Sequence, residues 1–177
     1  MEVDFDRVAY WYARPAGMLP KPIDNPKELW LTHIPKPAPI KGAIEGETAP
    51  ISKTGGETEN QGFGELSNGQ QLWWRDAEPG EKLVLKVPVK EDGEYEVTGH
   101  FCFARDYGIH KLSLGGTVLA EAYDFYSPNL EWKLVSLGKA RLRAGEAEFV
   151  AECIGHRPAA LPRNMLGIDY LMLKKLP

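Results

Sequence analysis

Long hydrophobic runs are missing from this 177-residue chain. No apolar stretch approaches the ~20 residues that span a bilayer, so the sequence predicts no membrane-crossing helix. Clusters of lysine and arginine are missing too. Its 21 basic residues are scattered among 25 acidic ones, a net charge of −4, which leaves nucleic acid and anionic membranes without an electrostatic footprint. Nowhere does a 3.6-residue apolar period persist long enough for a long helix. Catalytic signatures are scarce as well: there is no phosphate-cradling glycine loop, no Cys-x-x-Cys, no nucleophile elbow and no pair of histidines at metal-ligand spacing. His33, His100, His110 and His156 lie far apart. The opening MEVDFDRV is acidic and lacks the basic and apolar regions of a signal peptide, while export of a longer parent protein stays open. Cysteine is limited to Cys102 and Cys153. Both fall on predicted strands among apolar neighbours and read as buried thiols; a disulfide would need their Cα atoms within roughly 7 Å.

Proline and glycine, by contrast, are plentiful and unevenly placed. Seven of the 14 prolines occur before residue 40, where they remove ladder donors and restrict the residues before them. Residues 1–39 therefore read as an extended, aromatic arm. Two islands interrupt it: Val8–Ala13 (VAYWYA), a strand candidate, and Asn25–Leu31 (NPKELWL), a helical turn with Asn25 as N-cap and Pro26 after it. An arm this aromatic is expected to dock on the main body or on a neighbouring domain.

From residue 40 onward the chain predicts short strands, near 41–48, 70–75, 82–89, 93–104, 109–114, 117–123, 131–137, 139–143, 146–154 and 166–174. Leu83, Leu85, Val87 and Val89 alternate with the residues between them, and so do Ala147, Phe149, Ala151 and Cys153, at the period of two that marks half-buried strands. Turn signals at Pro79-Gly80, Asp92-Gly93, Gly115-Gly116 and Ala144-Gly145 separate them at hairpin spacing. Many short strands so spaced predict a β-sandwich or jelly roll over residues 40–177. Thr54–Gly64 reads as a polar, glycine-rich surface loop.

Gly93–Gly108 (GEYEVTGHFCFARDYG) is the segment where core and chemistry meet. Tyr95, Val97, Phe101 and Phe103 predict a core-facing strand, which delivers Arg105, Asp106 and Tyr107 to a rim. Arginine offers a planar donor fork and aspartate accepts hydroxyl hydrogens, a pairing suited to sugar diols; an internal brace of the loop is the alternative. Asp124 and Tyr126, in YDFYSP, are candidates for the same rim. Trp73 and Trp74 must face opposite ways. One is expected inside and the other, taken as Trp74, as an aromatic platform on which a sugar ring stacks or which the arm covers. Glu45 and Glu47 lie two apart in IEGE, and Asp169 lies in the last predicted strand. First and last strands often neighbour each other in sandwiches, which would gather three oxygen donors of the kind calcium prefers; exposed glutamates and a backbone-bonded aspartate are the competing reading.

IEGE, Gln61–Trp74 (QGFGELSNGQQLWW), the G-x-Y-x-V strand and GIDYLML together resemble β-sandwich carbohydrate-binding modules of the galactose-binding-like type, families six and thirty-five among them. The resemblance implies an all-β jelly-roll sandwich and a structural calcium held by Glu45, Glu47 and Asp169. The asparagine that those families often carry just before the Ile-Asp-Tyr motif is Gly167 here, a departure at the usual apical sugar site. DRVAYWYA, ARDYGIHKLSLGG, YDFYSP and LGIDYLML further resemble parts of glycoside hydrolases formerly classed as a domain of unknown function, the arabinofuranosidase and difructose-dianhydride group, in their aromatic strand and C-terminal module. None of that group's catalytic carboxylates can be placed on this chain.

The expected function is a non-catalytic carbohydrate-binding module accessory to a glycoside hydrolase, with Arg105, Asp106, Tyr107, Trp74, Asp124 and Tyr126 as ligand residues. The resemblance favours an extracellular or periplasmic setting. A structural or assembly domain that docks a catalytic partner through the arm is the alternative. An intrinsic glycosidase using Asp106 or Asp124 is the third.

Overall fold

The computed structural model describes residues 37–63 and 65–177, all within the unit Lys36–Pro177. The expectations for Val8–Ala13 and Asn25–Leu31 lie outside these residues. The strands are β1 (Ile44–Glu45), β2 (Ile51–Lys53), β3 (Glu57–Gly62), β4 (Gln70–Arg75), β5 (Lys82–Val89), β6 (Gly93–Phe103), β7 (Ile109–Leu114), β8 (Thr117–Asp124), β9 (Glu131–Leu142), β10 (Gly145–Gly155) and β11 (Leu166–Lys175). A short 3-10 turn, Ser67–Gly69, precedes β4.

These strands form two antiparallel sheets. One has the order β3-β4-β11-β6-β9, with β1 added beside β11; the other runs β2-β5-β10-β7-β8. The alternation read from the sequence is what closes the sandwich. Val97, Phe101, Leu72 and Ile168 from the first sheet meet Leu83, Leu85, Leu112, Phe149 and Ala151 from the second, all fully buried or nearly so. Tyr95 and Phe103 join them. The all-β jelly-roll sandwich is thus the observed fold.

Several details differ from expectation. The strand expected near 41–48 is only Ile44–Glu45, and Ile51–Lys53 is a strand that was not expected. Of the four turn signals only Gly115-Gly116 closes a hairpin within one sheet, between β7 and β8; the other three carry the chain from one sheet to the other. Residues 131–142 form one strand, because the register shift opposite Val97 and Thr98 of β6 is absorbed between Ser136 and Gly138 without ending the pairing. Within Thr54–Gly64, Glu57–Gly62 is an edge strand paired with β4 along its whole length, although its residues are polar. An edge strand needs little apolar character to be held by ladder hydrogen bonds.

Cys102 and Cys153 are free and buried, one in each sheet. Burial pushes both thiols up, to about 11.

Candidate functional site

The acidic cluster is built where β11 changes neighbours. On one flank β4 pairs with Leu166–Ile168, and β1 takes over at Tyr170 and Leu171. Asp169 sits at the changeover. On the other flank the β6 register shifts between Ile168 and Tyr170, leaving Asp169 as an extra residue. A bulge of this kind frees a side chain from the regular pattern. Gly46 closes the gap: its N–H donates to the Asp169 carbonyl at 2.8 Å, and a Cβ there would lie 2.3 Å from the Ile168 carbonyl oxygen. Only glycine lets Glu45 and Glu47 flank so close an approach.

The turn Ser67–Gly69 ties down one oxygen of each carboxylate. Ser67 Oγ donates to Glu45 Oε1 at 2.6 Å, the Ser67 N–H to Asp169 Oδ2 at 3.3 Å, and Asn68 Nδ2 to Glu47 Oε1 at 2.7 Å. His100 Nδ1 also lies 2.6 Å from Asp169 Oδ2, with its ring stacked on Tyr170. The remaining oxygens, Glu45 Oε2, Glu47 Oε2 and Asp169 Oδ1, are buried without a hydrogen-bond partner among the described residues. Burial raises the Glu45 carboxyl above its ordinary value; the Ser67 hydrogen bond opposes this, and the charges of Glu47 and Asp169 add to it. Three orphaned carboxylate oxygens are hard donors of the kind a calcium ion accepts, and they would fill part of its shell of roughly six to eight oxygens. Among the described residues no three His, Cys, Asp or Glu side chains are grouped so as to hold a metal ion as they stand, so the fit is one of donor type and unpartnered oxygens alone. Ser67, Asn68 and His100 were not singled out from the sequence for this role. The Ser-Asn-Gly run was the available signal, and Asn68 has φ of 50°.

The second site is a rim at one end of the sandwich, where three loops are stitched together. Leu161 N–H donates to the Arg105 carbonyl, Met165 N–H to the Asp106 carbonyl, and Ser127 N–H to the Ala104 carbonyl. Asp124 accepts from Arg157 Nε at 2.8 Å, while its other oxygen accepts the Tyr126 N–H at 2.9 Å. The Arg157 guanidinium lies over the Tyr126 ring at 4.9 Å. Arg105 is exposed and reaches the Pro128 carbonyl at 3.5 Å. It does not brace Asp106: no ion pair joins them among the described residues. Arg157 is the addition that sequence reading missed; it lies in the β10–β11 loop, where nothing in the pattern pointed to the rim.

Two expected ligand residues are withdrawn from the rim. Trp74 is 0% exposed: it shares the inward face of β4 with Leu72, and its indole N–H donates to the Gly55 carbonyl at 3.0 Å. Trp73 is the outward member of the pair, with the Arg75 guanidinium 5.3 Å above its ring. Tyr107 is also buried, at 4%, with burial pushing its hydroxyl upward. Its hydroxyl points at Gly167, where a Cβ would lie 2.9 Å from it, 2.9 Å from Gln71 Oε1 and 2.8 Å from Cys102 Cβ. A side chain at Gly167 has no room, because Tyr107, Gln71 and Cys102 already fill the space beside it. Trp132 Nε1 completes this packing by donating to Gln71 Oε1.

No protein-family model matches the chain, and no curated protein sequence matches it significantly. Solved structures do. A Paenibacillus xanthan lyase aligns at a TM-score of 0.70 and 23% identity over 80% of this chain and 14% of that one. A family 35 carbohydrate-binding module from Clostridium thermocellum aligns at 0.52 and 16% identity over 76% of this chain and 97% of the module. A Podospora anserina β-(1,4)-mannanase carrying a family 35 module aligns at 0.51 and 17% identity, over 76% of this chain and 27% of the enzyme. The chain thus spans a small part of the two enzymes and nearly all of the isolated module. Its sandwich has the fold of family 35 carbohydrate-binding modules. Among the described residues no helix is long and apolar enough to cross a membrane.

Proposed function

We propose that this domain is a non-catalytic carbohydrate-binding module that holds a polysaccharide-degrading enzyme on its substrate. What carries the reading is the correspondence of the sandwich with an isolated family 35 module over nearly the whole of that module. The rim supplies chemistry that fits it. Arg157 and Asp124 present guanidinium donors and carboxylate acceptors side by side, Arg105 adds a second exposed guanidinium, and Tyr126 and Asp106 complete the surround. Such a site binds hydroxyl pairs on a sugar, weakly per site because a shallow rim buries little area. The substrate class is a β-linked polysaccharide such as mannan or xanthan, by analogy with the enzymes whose segments share this fold.

Glu45, Glu47 and Asp169 are the residues that would hold a calcium ion, which would neutralise three mutually repelling carboxylates and fasten β1 to β11. Such an ion would brace the frame where β1 pairs with β11. A glycoside hydrolase or polysaccharide lyase in the same polypeptide or complex is the partner.

Affinity electrophoresis on gels cast with mannan, xylan, cellulose derivatives and xanthan tests the reading. Retardation by at least one polysaccharide, lost in Arg157→Ala, supports it. Unretarded migration on all of them contradicts it and favours a structural or assembly domain.

A further inference from the structure

The β10–β11 loop has two flanks, and the rim uses one of them. Its other flank faces the β4–β5 turn across a cleft of about 510 Å³ lined by Asp76–Pro79, Ile154–His156 and Pro162–Asn164. That volume is in the ordinary range for a small-ligand site, roughly 300–1,000 Å³.

The cleft is fixed in shape by bonds between its walls. The Asp76 N–H donates to the Arg163 carbonyl at 3.1 Å, and Arg163 Nε returns to Asp76 Oδ1 at 3.2 Å. Buried Asn164 forms the floor, with Nδ2 donating to the Ala77 carbonyl at 2.7 Å and Oδ1 at 2.8 Å from His156 Nδ1. Asp76 and Asn164 both hold left-handed backbone, at φ of 55° and 49°. Two such conformations facing each other cost free energy, and their persistence points to a surrounding network that over-determines them.

What the walls leave free is complementary to a sugar ring. Ile154, 45% exposed, stands with Pro79 and Pro162 as an apolar surface suited to the C–H face of a pyranose. Among the described residues the Arg163 Nη groups, His156 Nε2 and the Glu78 carboxylate have no protein partner. They supply donors and an acceptor for hydroxyl groups at the ring edge. The charges of Asp76 and Arg163 offset each other, and the remaining Glu78 carboxylate repels anions, which favours a neutral ring.

We propose that this cleft is a second sugar subsite, taking a neutral pyranose unit of the same polysaccharide, with the β10–β11 loop as the divider between it and the rim. The proposal rests on the carbohydrate-binding reading for its ligand class. Two weak subsites on one chain raise the affinity for a long ligand without any new contact, because the second engagement is intramolecular.

The test is a titration of the 15N-labelled chain with mannohexaose and, separately, with oligosaccharides cut from xanthan, followed by amide chemical shifts. His156→Ala combined with Arg163→Ala is run beside the wild type, with its spectrum as the check on folding. Shifts at 76–79, 154–156 and 162–164 together with the rim, and a drop of about tenfold in affinity for the long ligand in the double variant, support the subsite. Shifts confined to the rim, with the double variant binding like wild type, overturn it and leave the carbohydrate-binding reading standing. Shifts confined to the cleft support the subsite and overturn the rim. No shifts with any ligand overturn both.

Discussion

Arg157 and Asp124 are paired across the rim at 2.8 Å, although Asp124 ends β8 and Arg157 lies in the loop after β10. Both side chains are partly open to solvent, so the pair contributes only about 0–1 kcal/mol to stability. Its removal is therefore a clean probe of function. Arg157→Ala and Asp124→Ala are each expected to lower polysaccharide affinity by about tenfold, a loss of ~1.4 kcal/mol in binding, with the melting midpoint nearly unchanged in Arg157→Ala and lowered in Asp124→Ala, which also loses the Tyr126 N–H bond worth about 1 kcal/mol. Calorimetry of binding and of unfolding on the same preparations checks both halves.

The proposed cation site predicts the opposite pattern. Calcium at a hundredfold excess over its Kd is expected to raise the melting midpoint by roughly 5–10 °C, and chelation to reverse it. Asp169→Asn should abolish the calcium response while leaving polysaccharide binding measurable. A midpoint indifferent to calcium would remove the ion from the account.

Two buried groups give the stability a pH dependence of opposite sign. His110 is 0% exposed, with Nδ1 unpartnered among the described residues and Nε2 3.3 Å from the Met165 carbonyl; burial lowers its pKa to about 4. The unfolded chain takes up this proton near pH 6.5 and the folded one does not. Stability present above that pH is lost as pH falls towards 4, by up to about 3 kcal/mol. Glu45 is raised instead, so its contribution is full below its unfolded pKa and is lost as pH rises through the folded one. Denaturant unfolding across pH 4–8 should show the acid loss in wild type and a much flatter profile in His110→Leu. In calcium-free protein, Glu45→Gln should remove the loss on the alkaline side.

Gly167 gives a packing prediction. A methyl group placed on its Cα would fall within 2.9 Å of Tyr107, Gln71 and Cys102, so Gly167→Ala is expected to cost about 1–3 kcal/mol through overpacking. Gly167→Asn should cost more and add no sugar affinity. A stable Gly167→Asn variant with stronger binding would mean that the apical position is open.

The core of the sandwich was legible because alternation is a local signal. Leu83 to Val89 and Ala147 to Cys153 announce their faces within a few residues, and burial follows. Sheet membership was not legible, since Pro79-Gly80 or Ala144-Gly145 closes a hairpin or crosses between sheets with the same turn chemistry. β3 escaped notice because an edge strand is held by its neighbour's ladder rather than by apolar side chains of its own. For Trp73 and Trp74 the sequence dictates opposition and leaves the direction to register, and register put Trp74 inside. The Glu45, Glu47 and Asp169 grouping was readable only by supposing that first and last strands adjoin, which β1 and β11 do. Arg157 depended on how a loop folds back over the end of β8, a long-range fact with no local trace.

The central claim is that the rim binds a polysaccharide, and isothermal titration of the chain in calcium-containing buffer with mannohexaose and xanthan oligosaccharides tests it most directly. The account predicts saturable binding to at least one of these ligands that Arg157→Ala weakens about tenfold at an unchanged melting midpoint. Binding that survives both Arg157→Ala and Asp124→Ala at full strength, or no binding heat with any of these ligands, would contradict it.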